Sequence, residues 1–177
     1  MGTGDQHPIG IKDRRNKNMR KPWRTSSRLL DVLCEEFALF LFGGVAYLLV
    51  ELAFRGYTHW TMFFLGGFCF ASIGWLNEKY PWEMPLVSQM VISSGIITSL
   101  ELIFGILLNM IFKLHVWDYS MLPYNLFGQI SLIFSVAWFF LALPAIIVDD
   151  LIRWIVFGEE KPTYTVFYTK LPENLSK

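Results

Sequence analysis

The chain has 177 residues, of which 54% are hydrophobic and 17% aromatic, and its formal net charge is zero at pH 7. This composition is too apolar for an ordinary soluble domain, and the length is too short for a transporter built from two helical bundles. We therefore predict one all-α, polytopic membrane domain, a four-transmembrane-helix bundle with both termini in the cytoplasm. The expected partner is the lipid bilayer, and we expect no nucleic acid.

Positive charge is concentrated at the N terminus, where eight basic residues precede the first apolar run: Lys12, Arg14, Arg15, Lys17, Arg20, Lys21, Arg24 and Arg28. Such a cluster favours the cytoplasmic side of a membrane. Residues 1–30 contain few apolar side chains, so we predict a disordered basic arm. A cleaved signal peptide is not indicated, because no small-residue cleavage site follows the first apolar run.

Four apolar runs predict four spans within a membrane domain of residues 31–157, at about residues 37–54, 60–76, 86–112 and 125–148. About 20 apolar residues cross a hydrocarbon core of about 30 Å. Pro81 and Pro85 indicate a short turn between the second and third spans. An even number of spans returns the chain to the cytoplasm, where we place residues 158–177 as a tail.

Glu51 interrupts the first apolar run, and Arg55 follows it at the four-residue spacing that allows an ion pair on a helix. One interpretation is an ion pair at the membrane interface that closes the bundle. The other is a contact to an ion or ligand, with Glu51 in an intramembrane polar site. Arg55 and the connection after it, with Thr58, His59 and Trp60, would then form the outer mouth.

Glu101 interrupts the third run and belongs to a stripe of polar or small residues at helical spacing: Ser94, Thr98, Glu101, Gly105 and Asn109. Such a row is unfavourable against lipid, so it should face the protein interior. It could form interhelical hydrogen bonds with a partner such as Gln129 or Ser135. Alternatively, it could line a polar pathway, and we predict an intramembrane polar site formed by Glu51, Glu101, Asn109 and Gln129.

The connection before the fourth span contains Trp117, Asp118, Tyr119 and Ser120. Trp117 and Tyr119 suit the aromatic belt of a membrane interface, while Asp118 and Ser120 can satisfy backbone donors in a turn. We interpret this segment first as a structural loop at the outer mouth.

Neither catalysis nor a cofactor is indicated. The sequence contains no Walker motif and no Rossmann glycine pattern, so we expect no nucleotide hydrolysis by this chain and no enzyme activity. His59 and His115 leave a two-histidine site conceivable, but interfacial hydrogen bonding is the default interpretation, and we predict no metal and no cofactor. The depths and number of the cysteines do not indicate a disulfide, so we interpret Cys34 and Cys69 as packing residues. The glycines at positions 43, 44, 66, 67 and 74 predict close helix approach.

Several short motifs carry a family resemblance: GYTHW and LGG between Gly56 and Gly67, then VWDYS, PYN and GQI, and the later Trp138. Over about residues 35–150 the chain resembles the bacterial family labelled "Putative ABC-transporter type IV", small multi-pass proteins of the cell membrane described as permeases. The resemblance implies that a permease of this size would oligomerise or recruit another membrane protein, with a separate ATPase subunit if it is a true ABC permease. The positions that match the family's polar motif are Glu51, Arg55, Gly56, Thr58, His59, Trp60, Glu101, Asn109, Trp117, Asp118, Tyr119, Ser120, Asn125, Gly128 and Gln129.

Three functional hypotheses follow. The leading one is a small permease or permease-like subunit with its polar route around Glu101. The second is a non-transporting interaction or sensor protein, in which buried carboxylates stabilise helix contacts and the basic arm binds anionic lipid or a partner. The third, a membrane-embedded enzyme, would require four side chains to converge around a cavity: Glu51, His59, His115 and Asp118.

Overall fold

The computed structural model describes residues 28–79 and 84–166. It is 71% helical, with four helices and almost no strand. The chain forms two compact units, residues 1–34 and 35–177, and of the first unit the described residues 28–34 are the opening turns of a helix. The predicted basic arm up to residue 27, the turn at residues 80–83 with Pro81, and the tail from residue 167 lie outside the described residues.

Four α-helices, one π-helical segment and two short strands follow one another along the chain: α1 (Arg28–Arg55), α2 (Thr61–Lys79), α3 (Leu86–Gly105), the π-helix (Ile106–Ile111), β1 (Asn125–Leu126), β2 (Ile130–Ser131) and α4 (Leu132–Ile155). We call residues 112–131, between the π-helix and α4, the α3–α4 connection. Between residues 156 and 166, the described part of the chain contains no helix or strand.

Three segments are long and apolar enough to cross a membrane: Leu29–Arg55, Leu86–Ile111 and Leu132–Ile155, with mean hydropathies of 2.1, 2.1 and 2.2. The apolar part of α2, Thr61–Leu76, is shorter. Many large apolar side chains on the three long segments are exposed on the protein surface. Such exposure is unfavourable in water and is what helices that face lipid require.

The predicted start of the fourth span, at residue 125, was wrong, because α4 begins at Leu132 and continues to Ile155. Residues 125–131 instead form an antiparallel hairpin in which Asn125 pairs with Ser131. Phe127 and Gly128 both have positive φ values, 54° and 68°, which turn the chain and interrupt a helix. Since this segment carries no charge and contains Leu126, Phe127 and Ile130, its composition did not separate it from the helix that follows.

Close contact between α1 and α2 depends on glycine. A Cβ atom on Gly43 would overlap the side chain of Phe70, and one on Gly66 would overlap the side chain of Tyr47. Gly44 and Gly67 meet Phe63 and Phe40 in the same way. The predicted close approach at the glycine pairs is therefore confirmed, and the missing side chains let the two helices pack nearly backbone to backbone.

Two apolar clusters pack before and after Glu101 along the chain. One joins α2, α3 and α4 through buried side chains that include Ile73, Ile97 and Ala142. The other packs Leu108 of the π-helix and Trp117 of the α3–α4 connection against α2. Glu101 lies between Ile97 and Leu108 along the chain, so its carboxylate is enclosed by protein on both sides.

Candidate functional site

Glu101 is the central acidic residue of the interior and is only 3% exposed. Its Oε1 atom accepts a hydrogen bond from the Tyr119 hydroxyl at 2.9 Å. Its Oε2 atom accepts one from Nε1 of the Trp138 indole, also at 2.9 Å. The carboxylate therefore joins α3, the α3–α4 connection and α4, and it faces protein rather than lipid.

Tyr119 holds its hydroxyl in place by stacking on Phe134, with ring centroids 4.4 Å apart and an interplanar angle of 14°. Burial raises the pKa of the Tyr119 phenol, and the negative charge of Glu101 and the hydrogen bond to it raise the pKa further. The phenol stays protonated at physiological pH and acts as a donor to the carboxylate. Its position in the α3–α4 connection makes that connection part of the site.

Asn109 organises a second buried group near the end of the third apolar segment. Its Nδ2 atom donates to the Trp117 carbonyl at 3.0 Å and to Oε1 of Gln129 at 2.8 Å. Its Oδ1 atom accepts from the backbone N–H of Val116 at 2.7 Å. Asn109 belongs to the π-helix, a form that is frequent at functional sites. The amide thus fixes both sides of the α3–α4 connection to the helix.

Trp117 completes this group from the connection. Its indole Nε1 donates to the Gln129 carbonyl at 2.9 Å, and the side chain is 5% exposed. The prediction that Trp117 belongs to an interfacial aromatic belt was wrong, because the ring packs inside the protein where its N–H needs a buried acceptor. Gln129 also donates from Nε2 to the Phe127 carbonyl at 3.0 Å.

The N-terminal half of the stripe on α3 forms hydrogen bonds with α4. Ser94 donates from Oγ to the Ser135 carbonyl at 2.7 Å, and Thr98 Oγ1 lies 3.2 Å from Ser135 Oγ. A Cβ atom on Gly105 would overlap the Gln129 side chain, so that contact also requires glycine. The predicted interhelical hydrogen bonding is confirmed for Ser135, whereas Gln129 bonds to Asn109 from the α3–α4 connection.

An open apolar groove of about 340 Å³ lies beside these bonds, lined by Val91, Ser94, Ser135, Val136, Phe139 and Phe140. Glu101, Asn109 and Gln129 do not line it. The groove is therefore not the polar route that the sequence suggested.

Glu51 forms the second acidic position and is 5% exposed. Its Oε1 atom lies 2.8 Å from Nη1 of Arg55, and its Oε2 atom accepts a hydrogen bond from Thr58 Oγ1. Arg55 Nη2 also donates to the Tyr57 hydroxyl at 3.0 Å and to the Val116 carbonyl at 3.1 Å. The predicted Glu51–Arg55 pair is confirmed, and it connects the end of α1 to the α3–α4 connection.

The other predicted outer-mouth residues make local contacts. His59 Nδ1 lies 2.8 Å from Thr61 Oγ1 at the start of α2, and Trp60, 67% exposed, lies beside the His59 ring. Asp118 is exposed, and its Oδ1 atom accepts from the Ser120 backbone N–H at 2.8 Å. This hydrogen bond lowers the pKa of Asp118. Among the described residues there is no group of three or more metal-binding side chains.

The structure contains a further buried charge cluster that was not predicted from the sequence. Asp149 is 0% exposed and Arg153 is 4% exposed, and Arg153 donates from Nε to Asp149 Oδ2 and from Nη2 to Glu36 Oε1, both at 2.9 Å. The remaining oxygen, Oδ1 of Asp149, accepts no hydrogen bond within the described part of the chain. A Cβ atom on Gly74 would overlap both Asp149 and Arg153.

Asp149 and Arg153 lie near the C-terminal end of α4. The available signal was the four-residue spacing of Asp149 and Arg153, which equals that of Glu51 and Arg55. Glu36 could not have been found in this way, because it lies 117 residues from Arg153.

The fold and the site together define a helical membrane-type protein whose long apolar helices are tied together by buried carboxylate and amide hydrogen bonds. The family described as "Putative ABC-transporter type IV" matches residues 37–168, and the chain belongs to that family. Neither a curated protein nor a solved structure matches this chain. The matched range contains Glu51, Glu101, Asn109, Gln129 and the Asp149–Arg153 pair.

Proposed function

We propose that this chain is a small permease or permease-like transporter subunit of the bacterial cell membrane. Membership of an ABC-transporter-type family supports this function, and three helices of spanning length support a membrane location. We further propose that α2 is the fourth crossing, which places both termini in the cytoplasm. Its apolar part is short, but its glycine contacts with α1 pack it closely against a longer span.

The topology is testable by cysteine labelling in a background with Cys34→Ser and Cys69→Ala. A cysteine at residue 57 should react with a membrane-impermeant reagent from outside, while cysteines at residues 15 and 170 should react only after the membrane is permeabilised. External labelling at residue 15 would overturn the proposed orientation.

The observation that carries the functional proposal is the position of Glu101. A carboxylate in a membrane-spanning helix is costly, and here it is enclosed by the donors Tyr119 and Trp138 from two other segments. In the proposed function, this arrangement is a closed state. Exchange of one donor for a proton, a cation or a charged group of the cargo would open a route past Glu101 towards Asn109 and Gln129.

Glu101→Gln tests this role, because glutamine keeps the shape of the side chain but removes the titratable charge. Its Oε1 can accept from Trp138 Nε1, and its Nε2 can donate to the Tyr119 hydroxyl, so both contacts can be kept. We expect the variant to insert and fold normally but to lose the cellular phenotype or the flux that depends on the wild-type chain. Glu160→Gln removes one negative charge from an exposed position and is the matched control. A fully active Glu101→Gln variant would contradict the permeation role.

A second candidate is a non-transporting membrane interaction or sensor protein, and one specific observation favours it. Both oxygens of Glu101 are bonded to protein donors, which a purely structural residue would also require. In that case Glu101→Gln stays active, while replacements that cannot form the bonds, such as Glu101→Leu, lose activity together with stability. The pair of variants therefore separates the two candidates.

We also propose that the chain is not itself an enzyme, binds no cofactor, and acts as a homo-oligomer or with another membrane protein. Transport driven by ATP would need a separate ATPase subunit, because the sequence has no Walker motif. ATP hydrolysis by the purified chain alone would overturn this part of the proposal. Copurification with an ATPase subunit, lost on mutation of the cytoplasmic surface, would support it.

A further inference from the structure

The tip of the α3–α4 connection, residues 121–127, presents unusually exposed apolar side chains. Met121 is 93% exposed, Tyr124 is 83% exposed and Phe127 is 66% exposed. A contiguous apolar tip of this kind is unfavourable in water and indicates a contact with a membrane or another molecule. The Glu101, Asn109 and Glu51 groups use the other parts of the connection, and none of them explains the tip.

The backbone of the connection is hydrogen-bonded internally to a degree that an ordinary surface loop does not need. Tyr119 N–H donates to the Gly128 carbonyl at 2.8 Å, and Leu122 N–H donates to the Tyr119 carbonyl at 2.9 Å. Asn125 Nδ2 donates to the Leu122 carbonyl at 2.7 Å, and its Oδ1 accepts from Gly128 N–H at 3.1 Å. Non-helical backbone near lipid requires such internal partners, because hydrocarbon offers none.

The charge pattern of the sequence points to the same environment. No Asp, Glu, Lys, Arg or His occurs in the 30 residues from 119 to 148, a stretch that includes the tip and continues into α4. The Asp, Glu, Lys, Arg and His residues of the connection are confined to its first part: Lys113, His115 and Asp118. Each of those three side chains is exposed. The connection thus has a polar beginning and an uncharged, apolar end.

The length of the uncharged part of α4 is a further reason to place the residues before it near lipid. Within α4 the uncharged part is residues 132–148, which is 17 residues or about 26 Å at about 1.5 Å per residue. A hydrocarbon core of about 30 Å is longer than this part of the helix. The uncharged, internally bonded residues that precede Leu132 can fill the missing depth on that side of the membrane.

We propose that the tip of the α3–α4 connection, with Met121, Tyr124 and Phe127, is inserted into the bilayer at the boundary between head groups and acyl chains. The occupant of this apolar surface is lipid, because the surface continues that of α4, where Leu132 and Ile133 are 53% and 52% exposed. Tyrosine is typical of this depth, since its ring is apolar and its hydroxyl reaches the head groups. The proposal rests on the proposed membrane-spanning arrangement.

Insertion of the tip has a consequence for the Glu101 site. Tyr119, which donates to Glu101, lies two residues before Met121, and its backbone N–H is bonded to Gly128 beside Phe127. Contact between lipid and the tip would therefore also help to fix the position of Tyr119, whose hydroxyl donates to Glu101.

Spin labelling measures the depth directly. Single cysteines replace Met121 or Phe127 in the background with Cys34→Ser and Cys69→Ala, carry a nitroxide, and are reconstituted into phosphatidylcholine–phosphatidylglycerol vesicles. Phe140→Cys, at a position 65% exposed on α4, is the lipid control, and Lys113→Cys is the aqueous control. We expect labels at 121 and 127 to collide more with oxygen than with a water-soluble nickel chelate, as at 140 and opposite to 113.

Labels at 121 and 127 that behave like 113, while 140 reports lipid, would overturn the tip proposal and leave the proposed function intact. Labels protected from both oxygen and nickel would also overturn it, in favour of a protein contact. A water-exposed label at 140 would overturn the membrane arrangement as well. Met121→p-benzoylphenylalanine keeps both native cysteines and is expected to crosslink to phospholipid, whereas a crosslinked dimer would contradict lipid as the occupant.

Discussion

The indole Nε1 of Trp138 donates to Oε2 of Glu101 at 2.9 Å, which joins α4 to α3 across 37 residues of sequence. Trp138 is 9% exposed and packs in the same cluster as Ile97 and Ala142. The indole therefore contributes both apolar packing and the donor that a buried carboxylate needs. If Glu101 changes its partners during function, this bond is one of the two that must break.

Trp138→Phe should lower the free energy of unfolding by about 1–3 kcal/mol. The replacement leaves one buried Glu101 oxygen without its donor, and an unsatisfied buried polar group has a cost of this size. Thermal unfolding in detergent measures the change. Trp60→Phe, at a position 67% exposed, is the matched control and should have a much smaller effect. Equal effects of the two substitutions would show that the hydrogen bond contributes nothing.

Features of the site could be predicted from the sequence where all of their residues lie on one helix. The Glu51–Arg55 pair follows from four-residue spacing, and the interior orientation of the Glu101 stripe follows from its polar residues in an apolar segment. The donors to Glu101 could not be predicted in this way. Tyr119 and Trp138 lie 18 and 37 residues away, so only the packing of the connection and α4 brings them together.

The predicted start of the fourth span was wrong for a related reason. Hydropathy measures how apolar a segment is, and residues 125–131 carry no charge, as is true of residues 132–148 in the helix that follows. Their hairpin depends on positive φ values at Phe127 and Gly128 and on the side-chain bonds of Asn125, none of which alters hydropathy. The Asp149–Arg153–Glu36 cluster was missed because its third member comes from the opposite end of the described chain.

Arg153→Met should destabilise the protein strongly, by about 3–5 kcal/mol, because it leaves the buried Asp149 carboxylate without its positive partner. The double variant Asp149→Leu with Arg153→Met removes both charges and should recover most of the lost stability. Thermal unfolding of wild type, both single variants and the double variant gives the coupling between the two side chains. Additive effects would contradict a coupled buried pair.

Asp118 should contribute stability that depends on pH. Its carboxylate accepts the Ser120 N–H, which lowers the pKa of Asp118 in the folded protein. The contribution of the ionised form is therefore complete above the ordinary carboxyl pKa of about 3.9, and it is lost as the pH falls through the lower folded pKa. Asp118→Asn keeps an acceptor oxygen but cannot ionise, so its difference from wild type should stay nearly constant at higher pH and shrink as the pH falls below about 3.9.

Asp118→Ala removes the acceptor as well and should remain less stable than wild type at neutral pH. Thermal unfolding across the pH range compares the three proteins. A wild-type-minus-Asn difference that does not change with pH would contradict a stabilising role for the charge. Normal stability of Asp118→Ala with lost activity would instead place Asp118 among the functional residues.

Two helical glycines provide the sharpest comparison for the buried charge cluster. A Cβ atom on Gly74 would overlap Asp149 and Arg153, whereas one on Gly95 would meet no atom within 4 Å. Both changes to alanine gain helix propensity, by about 0.5–1 kcal/mol. Only Gly74→Ala adds an overlap inside a packed interior, at a cost of about 1–3 kcal/mol.

We therefore expect Gly95→Ala to stabilise the protein slightly and Gly74→Ala to destabilise it, so that the two melting temperatures move in opposite directions. The direction of each change in melting temperature matters more than its size. The two substitutions are chemically identical and differ only in what surrounds the new methyl group. In an Asp149→Ala background, which shortens one side chain that the methyl group would strike, Gly74→Ala should cost less stability than it does in the wild type. If Gly74→Ala were as stable as Gly95→Ala, then α2 and α4 would not be in contact at the Asp149–Arg153 pair.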